Sequence, residues 1–162
     1  MPIRVFAIDP GFTIGYALME SPCRLVLSGQ THNPEDVKEL LLEHRPDEVV
    51  IERFRPYPGM ARWLGFRAVR PVEIIQDIRQ FCEDQGFVLL EQSSAQISPE
   101  GTFSDLILRQ LKVYQRGKPH ANDAIRHALY RLWVGHGFSR DADVADRLRA
   151  ILAEVVPTDA ED

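Results

Sequence analysis

Three carboxylates stand where a metal-binding site could be built. Asp9 closes an apolar run through Ile3, Val5, Ala7 and Ile8 and is followed by Pro10-Gly11; Glu52 closes Val49-Val50-Ile51 in the same way; Asp123 lies in His120-Ala121-Asn122-Asp123 at the start of a helical pattern. Each has an ordinary explanation when taken alone. An aspartate before Pro-Gly often bonds turn amides, an acid after a strand is often its first solvated residue, and an acid in the first helical turn complements the helix dipole. Glu52 fits its ordinary role least well, because an unpaired carboxylate near the buried centre of a sheet is costly unless a cation or hydrogen bonds compensate it. At about 100° per residue, His120, Asp123 and His127 form one stripe bordering the apolar Ala121, Ala124, Ala128 and Leu132. Nothing beyond this spacing supports a role for His127, which reads as a packed histidine. Two strand-end acids, a helix acid and a histidine one turn before it make up an oxygen-rich donor set suited to Mg²⁺ or Mn²⁺. Two such ions could activate a water and stabilise the leaving oxygen in phosphodiester hydrolysis.

The elements that must position these residues follow from periodicity. Residues 3–9, 14–19 and 24–28 read as three consecutive strands, the first two joined by the Pro10-Gly11-Phe12-Thr13 turn. Asn33-Pro34-Glu35-Asp36 supplies an N-cap, a first-turn proline and two acids for a helix ending near His44. Residues 47–52 form a fourth strand, and 53–62, with two prolines and a glycine, a loop. A second helix is expected from Pro71 to near Gly86, with Ile74, Ile75, Ile78, Phe81 and Cys82 as its apolar face, and a fifth strand over 87–90. A polar, irregular stretch over 93–101, a short helix around Leu106–Leu111, a strong helix over 120–133 and a terminal helix over 141–155 complete the chain. This order implies an α/β fold with a mixed five-stranded sheet and helices on both faces.

The chain has 162 residues, 44% of them hydrophobic, enough for one α/β core. No run approaches the roughly 18 apolar residues of a membrane span, and the N-terminus opens directly into a strand pattern; a cytoplasmic protein with no membrane partner is expected. Cys23 and Cys82 lie far apart and suggest neither a disulfide framework nor a zinc site. A net charge of −5 argues against nucleic acid as a partner only on average. From Arg53 to Arg70 there are five arginines and no acid, and from Arg109 to Arg131 the sole carboxylate is Asp123. Taken singly, either stretch reads as a solvated face; both flank the candidate site.

Val5-Phe6-Ala7-Ile8-Asp9-Pro10-Gly11 leading to Gly15-Tyr16-Ala17, then Val50-Ile51-Glu52, then His120-Ala121-Asn122-Asp123-Ala124, resemble in order and spacing the three motif blocks of RuvC-like Holliday junction resolvases, including small phage proteins of that type. The likeness spans residues 3–133. It implies an RNase H-like nuclease domain over 1–137, followed by a C-terminal helix and acidic tail over 138–162. By position it assigns Asp9, Glu52 and Asp123 as metal ligands, with His120 in the place of the acid or histidine three residues before the last aspartate. The implied activity is divalent-metal-dependent endonucleolytic cleavage of branched DNA, with two Mg²⁺ or Mn²⁺ ions per site. Two departures concern the junction rather than the hydrolytic core. The family's aromatic three residues after the glutamate is absent, with Phe54 two and Tyr57 five residues after it, and a lysine common after the fifth strand is missing around Gln96-Ile97-Ser98. DNA contacts are expected from Arg53, Arg55 and Tyr57 after Glu52 and from Lys118 before His120.

Asp9-Pro10-Gly11-Phe12-Thr13 also fits the phosphate loop of actin-like kinases, but those need two such domains to enclose a nucleotide. A non-catalytic RNase H-like module that binds nucleic acid, and a nuclease acting on RNA–DNA hybrids or other structured nucleic acid, stay open. A homodimer is expected because resolving a junction requires two symmetry-related cuts. Its candidate surfaces are the segment 60–72, with Met60, Trp63, Leu64, Phe66 and Val69, and the apolar stripe of the terminal helix.

Overall fold

The computed structural model describes residues 1–53, 61–97, 103–136 and 150. Strands β1 (Arg4–Asp9), β2 (Ile14–Glu20) and β3 (Arg24–Thr31) are followed by α1 (Pro34–His44), β4 (Glu48–Arg53), α2 (Ala61–Gln85) and β5 (Leu89–Ser93). A 3₁₀ turn (Ser94–Ile97), α3 (Asp105–Gln110), α4 (Pro119–Tyr130) and a π-helical turn (Arg131–Gly135) complete the described order. The strands form one sheet in the order β3-β2-β1-β4-β5. β1, β2 and β3 pair antiparallel; β1 with β4 and β4 with β5 pair parallel. The mixed five-stranded sheet expected from the strand order is therefore present.

Period-two alternation divides the core between the two faces. Phe6 and Ile8 of β1 and Val49 and Ile51 of β4 pack with Val37 and Leu41 of α1 and Ile74, Ile75, Ile78 and Cys82 of α2. Val5 and Ala7, with Val50, point the other way and pack with Ala124, Ile125, Ala128 and Leu129 of α4 and Ile107 and Leu108 of α3. Continuing the same alternation by one step puts Asp9 and Glu52 on the α4 face. Both carboxylates are thus fixed by strand parity before any side-chain contact is considered.

α1 begins as its sequence dictates: the Asn33 side chain accepts from Glu35 N, and Pro34 occupies the first turn. Three boundaries differ from expectation. β3 runs to Thr31 rather than ending at residue 28, which brings Gln30 into the sheet. α2 starts at Ala61 rather than at Pro71, so Arg62, expected in a loop, belongs to the helix with Arg67 and Arg70. An interior proline forfeits a backbone hydrogen bond and crowds the preceding turn, which is why a stop was expected there; the buried anchors Ile74, Ile75 and Ile78 just beyond it hold the helix to the sheet nonetheless. β5 is Leu89–Ser93, two to three residues later than 87–90. Phe87 leaves the strand to stack on Phe81 of α2, with ring centroids 6.3 Å apart, and the shift brings Gln92 into β5 beside Glu52. Cys82 is buried and Cys23 partly so, both as free thiols. Among the described residues no helix is long and apolar enough to cross a membrane. The loop residues Phe54, Arg55, Tyr57 and Met60, residue Ser98 and the terminal helix of 141–155, apart from position 150, lie outside the described residues.

α4 packs very closely on the sheet. A Cβ added at Gly15 would lie 2.0 Å from the His120 carbonyl oxygen and 2.2 Å from its carbon. Both are backbone atoms, so neither can swing aside, and the first turn of α4 can reach its position only over a glycine. At the far end of β4, Arg131 donates to both carboxylate oxygens of Glu48 at 2.7 and 2.8 Å, which holds this carboxyl below its usual range. Gly15→Ala is expected to lower unfolding free energy by about 1–3 kcal/mol or more, as for other overpacked positions. A urea midpoint equal to that of the parent chain would show that α4 does not need this approach.

Candidate metal centre

One row of residues crosses the whole sheet beneath α4. Gly15 of β2 pairs with Gln30 of β3 and with Asp9 of β1; Glu52 of β4 pairs with Gln92 of β5. Asp9 and Glu52 each follow directly on the last β1–β4 pair, Ile8 with Ile51. Gln30, Asp9, Glu52 and Gln92 each bond to α4, and Gly15 makes room for it.

At the helix start, Lys118 offers no side-chain cap. Gln30 supplies one from another strand: its Oε1 accepts from His120 N at 3.0 Å and from Ala121 N at 3.4 Å, satisfying amides that a helix N-terminus leaves open. Asn122 fixes the preceding turn, accepting from Gln115 N at 2.8 Å and donating to Gln115 O at 2.9 Å. With the first turn so held, His120 Nδ1 lies 2.8 Å from Asp9 Oδ2. Asp9, His120 and Asp123 each offer a ligand atom within 4.8 Å of the others, an arrangement able to hold a metal ion.

Depth distinguishes these three residues. Asp9 is 8% exposed and forms the floor, whereas His120 and Asp123 are half-buried at the rim. Burial pushes the Asp9 carboxyl up to about 7, against the hydrogen bond from His120, with Glu52 and Asp123 adding like-charge repulsion. A buried carboxylate crowded by two others is a site that lacks positive charge, and three carboxylates with one imidazole suit a hard or borderline divalent cation. The donor set therefore fits the metal that the sequence pattern implies.

Two further residues bond these carboxylates. His127, expected only to pack, is fully buried, with Nε2 3.1 Å from Glu52 Oε2 and Nδ1 3.0 Å from Gln92 Oε1. The stripe spacing of His120, Asp123 and His127 was the available signal; Gln92 was hidden by the misplaced fifth strand. Arg126, 3% exposed, donates to Asp123 Oδ1 at 2.6 Å and to Phe103 O at 2.9 Å, and also bonds Asp105.

The expected DNA-contacting residues are placed differently from one another. Arg53, at the end of β4, is engaged with Glu91 at 3.0 Å, and Glu91 is also bonded by Arg79. Lys118 is exposed and lines a cleft of about 290 Å³ with Tyr114, Asp105, Asp123 and Arg126, directly beside the carboxylates.

No family model matches the chain. The crossover junction endodeoxyribonuclease RuvC of Salinispora arenicola (strain CNS-205) is 26% identical over 170 residues, spanning 91% of this chain and 97% of that protein. Thermus thermophilus RuvC in complex with a Holliday junction substrate superposes with a TM-score of 0.60 at 17% identity, over 83% of this chain and 96% of that one. The fold is RuvC-type. A second T. thermophilus RuvC structure gives 0.58 at 16% identity, covering 83% and 97%. Fowlpox virus resolvase with its Holliday junction DNA gives 0.50 at 14%, covering 86% and 100%. The RuvC-type, RNase H-like architecture implied by the motif blocks is thus present over most of the chain.

The raised Asp9 carboxyl gives a pH dependence of definite sign. Its unfolded value is about 4 and its folded value about 7, so the folded state binds this proton more tightly. The stability contributed by protonated Asp9 is complete below about pH 4 and is lost as pH rises through about 7. Metal-free Asp9→Asn should therefore gain stability relative to the parent as pH rises, exceeding it at about pH 8. Added Mn²⁺ should stabilise the parent there and not the variant. Parallel urea-midpoint profiles for the two chains across this range would contradict the assignment of Asp9 as an uncompensated buried acid.

Proposed function

We propose that this RuvC-type chain is a divalent-metal-dependent endonuclease that hydrolyses phosphodiester bonds in branched DNA, with the Holliday junction as substrate, acting in the cytoplasm as a homodimer. The observation that carries this reading is the convergence of Asp9, Glu52, Asp123 and His120 at one end of the sheet, with a buried Asp9 carboxyl that two neighbouring carboxylates crowd and one imidazole offsets only in part. The likeness to RuvC over nearly the full length of both chains supports it.

Asp9, Glu52, Asp123 and His120 would hold Mg²⁺ or Mn²⁺, two ions per site, with Asp9 at the centre of the row. When bound, such ions lower the pKa of an attacking water and offset charge on the leaving oxygen. The chain's own contribution is orientation. Gln30 and Gly15 fix the helix turn that carries His120 and Asp123, and Arg126 holds one oxygen of Asp123. Lys118, beside the cleft, is free to meet a phosphate. Arg55 and Tyr57, which follow Glu52 in the sequence, add DNA contacts, and Arg53 joins them by exchanging Glu91 for phosphate. One carboxylate cluster cuts one strand, so symmetric resolution calls for two copies, with the segment 60–72 as their contact.

A gel assay on four-way junctions, forks, flaps and RNA–DNA hybrids in Mg²⁺ or Mn²⁺ tests this directly. Paired, symmetry-related incisions are expected on the four-way junction, with cleavage abolished by Asp9→Asn, Glu52→Gln or Asp123→Asn in chains that remain folded, and weakened in a metal-dependent way by His120→Ala. Near-normal cutting by any of the three isosteric variants would remove that residue from the site. Single unpaired nicks would remove the dimer, and preference for the hybrid would change the substrate class. In the same binding mixtures, Lys118→Ala should reduce the salt dependence by about one unit of slope; an unchanged slope would place the DNA elsewhere.

A further inference from the structure

α4 contributes more than the residues at the rim of the site. One turn beyond Asp123, His127 lies wholly out of solvent between β4 and β5 and reaches Glu52 on one strand and Gln92 on the next. A carboxylate only accepts hydrogen bonds, so the 3.1 Å contact requires that His127 Nε2 carry the hydrogen and donate it to Glu52 Oε2. In a neutral imidazole the other nitrogen is then an acceptor. Gln92 Oε1 lies 3.0 Å from Nδ1; turning that amide by 180°, which exchanges its oxygen and NH₂ within nearly the same shape, gives this acceptor its donor. Gln92 thereby fixes the ring's tautomer and plane, and the ring fixes Glu52. Among the described residues Glu52 has no other hydrogen bond, so Oε1 is the oxygen left to face the site. Glu52 also stands apart from the compact trio of Asp9, His120 and Asp123, and its position depends on this one contact.

We propose that His127, itself held by Gln92, is a positioning residue that presents one oxygen of Glu52 to the metal. The proposal rests on the reading of the row as a metal centre. His127 is not a ligand: it has no exposure and both its nitrogens face protein partners. Its role is to hold a half-buried glutamate at the end of a strand in one rotamer, so that little side-chain freedom is lost when an ion binds. Arg126, the neighbouring residue on α4, holds Asp123 by one oxygen in the same manner.

The test is direct titration of the full chain with Mn²⁺ alone, with free ion followed by electron paramagnetic resonance, for the parent, His127→Leu, His127→Gln and Gln92→Leu. His127→Leu removes the donor and should raise the Mn²⁺ dissociation constant by about tenfold or more, the effect usual for partners of metal ligands. His127→Gln places an amide N–H near the position of Nε2 and should restore affinity toward that of the parent. Gln92→Leu frees the ring and should weaken binding less than His127→Leu. Both His127 variants lose the imidazole's packing, so an affinity that followed stability alone would fall in both, as read from their urea midpoints. Parent-like Mn²⁺ affinity in a folded His127→Leu chain, or equal weakening in the Leu and Gln variants, would overturn the proposal. If His127→Leu does not fold, parent-like affinity in Gln92→Leu overturns it. The nuclease reading fails separately: a chain that shows this Mn²⁺ pattern but cuts no branched DNA keeps the positioning role and loses the activity. A chain that cuts DNA while all four forms bind Mn²⁺ equally loses only the positioning role. A parent chain that binds no Mn²⁺ loses both.

Discussion

The first turn of α4 rests on the sheet where the residue beneath it has no side chain, and the rest of the site follows from that approach. Gly15 admits the His120 carbonyl to a distance that any Cβ would forbid. Gln30, its cross-strand partner, caps the same turn. The next residue along the row, Asp9, then meets His120, and the two beyond it, Glu52 and Gln92, meet His127. A helix standing farther off would still bury Ala124 and Ala128, but its rim residues would not reach the strand-end acids. Close packing of a small-residue helix face is thus the means by which three acids distant in sequence share one volume.

That arrangement has an electrostatic cost. Asp9 is crowded by Glu52 and Asp123 and shielded from water, and its carboxyl rises to about 7 as a result. Among the described residues His120 is the one partner of Asp9, and the buried Arg126 is turned to Asp123 and Asp105 rather than to Asp9. At the other end of β4, by contrast, Glu48 is paired with both Arg131 and His136. An under-compensated cluster beside such complete pairing is what a metal-dependent site requires, since the cation then gains affinity from relieving the repulsion.

The strands and the acids were legible in the sequence because both depend on local pattern. Apolar runs that stop at Asp9 and at Glu52 define strand ends, and parity alone puts the two side chains on one face. The Asn33-Pro34 cap specified the start of α1 in full. Long-range competition defeated local rules at two places. Pro71 reads as a helix stop, yet packing of the residues beyond it carries α2 through. Phe87 reads as strand, yet it is drawn to Phe81, and the consequent shift of β5 concealed Gln92. Gln30 and Gly15 carry no composition signal of their own; each acts on the first turn of α4, 90 or more residues away, and only the assembled register reveals them. The basic residues were the least legible, because an arginine such as Arg53 is equally suited to Glu91 and to phosphate.

The central claim is that the row beneath α4 is a metal centre whose ligands converge from β1, β4 and the first turn of α4. Crystals of the full chain soaked in Mn²⁺ and measured for anomalous scattering test it most directly. The account predicts anomalous peaks within ligand distance of Asp9, in contact with His120 and Asp123 on one side and Glu52 on the other. Peaks confined to surface carboxylates, with Asp9 still bonded only to His120, would contradict it.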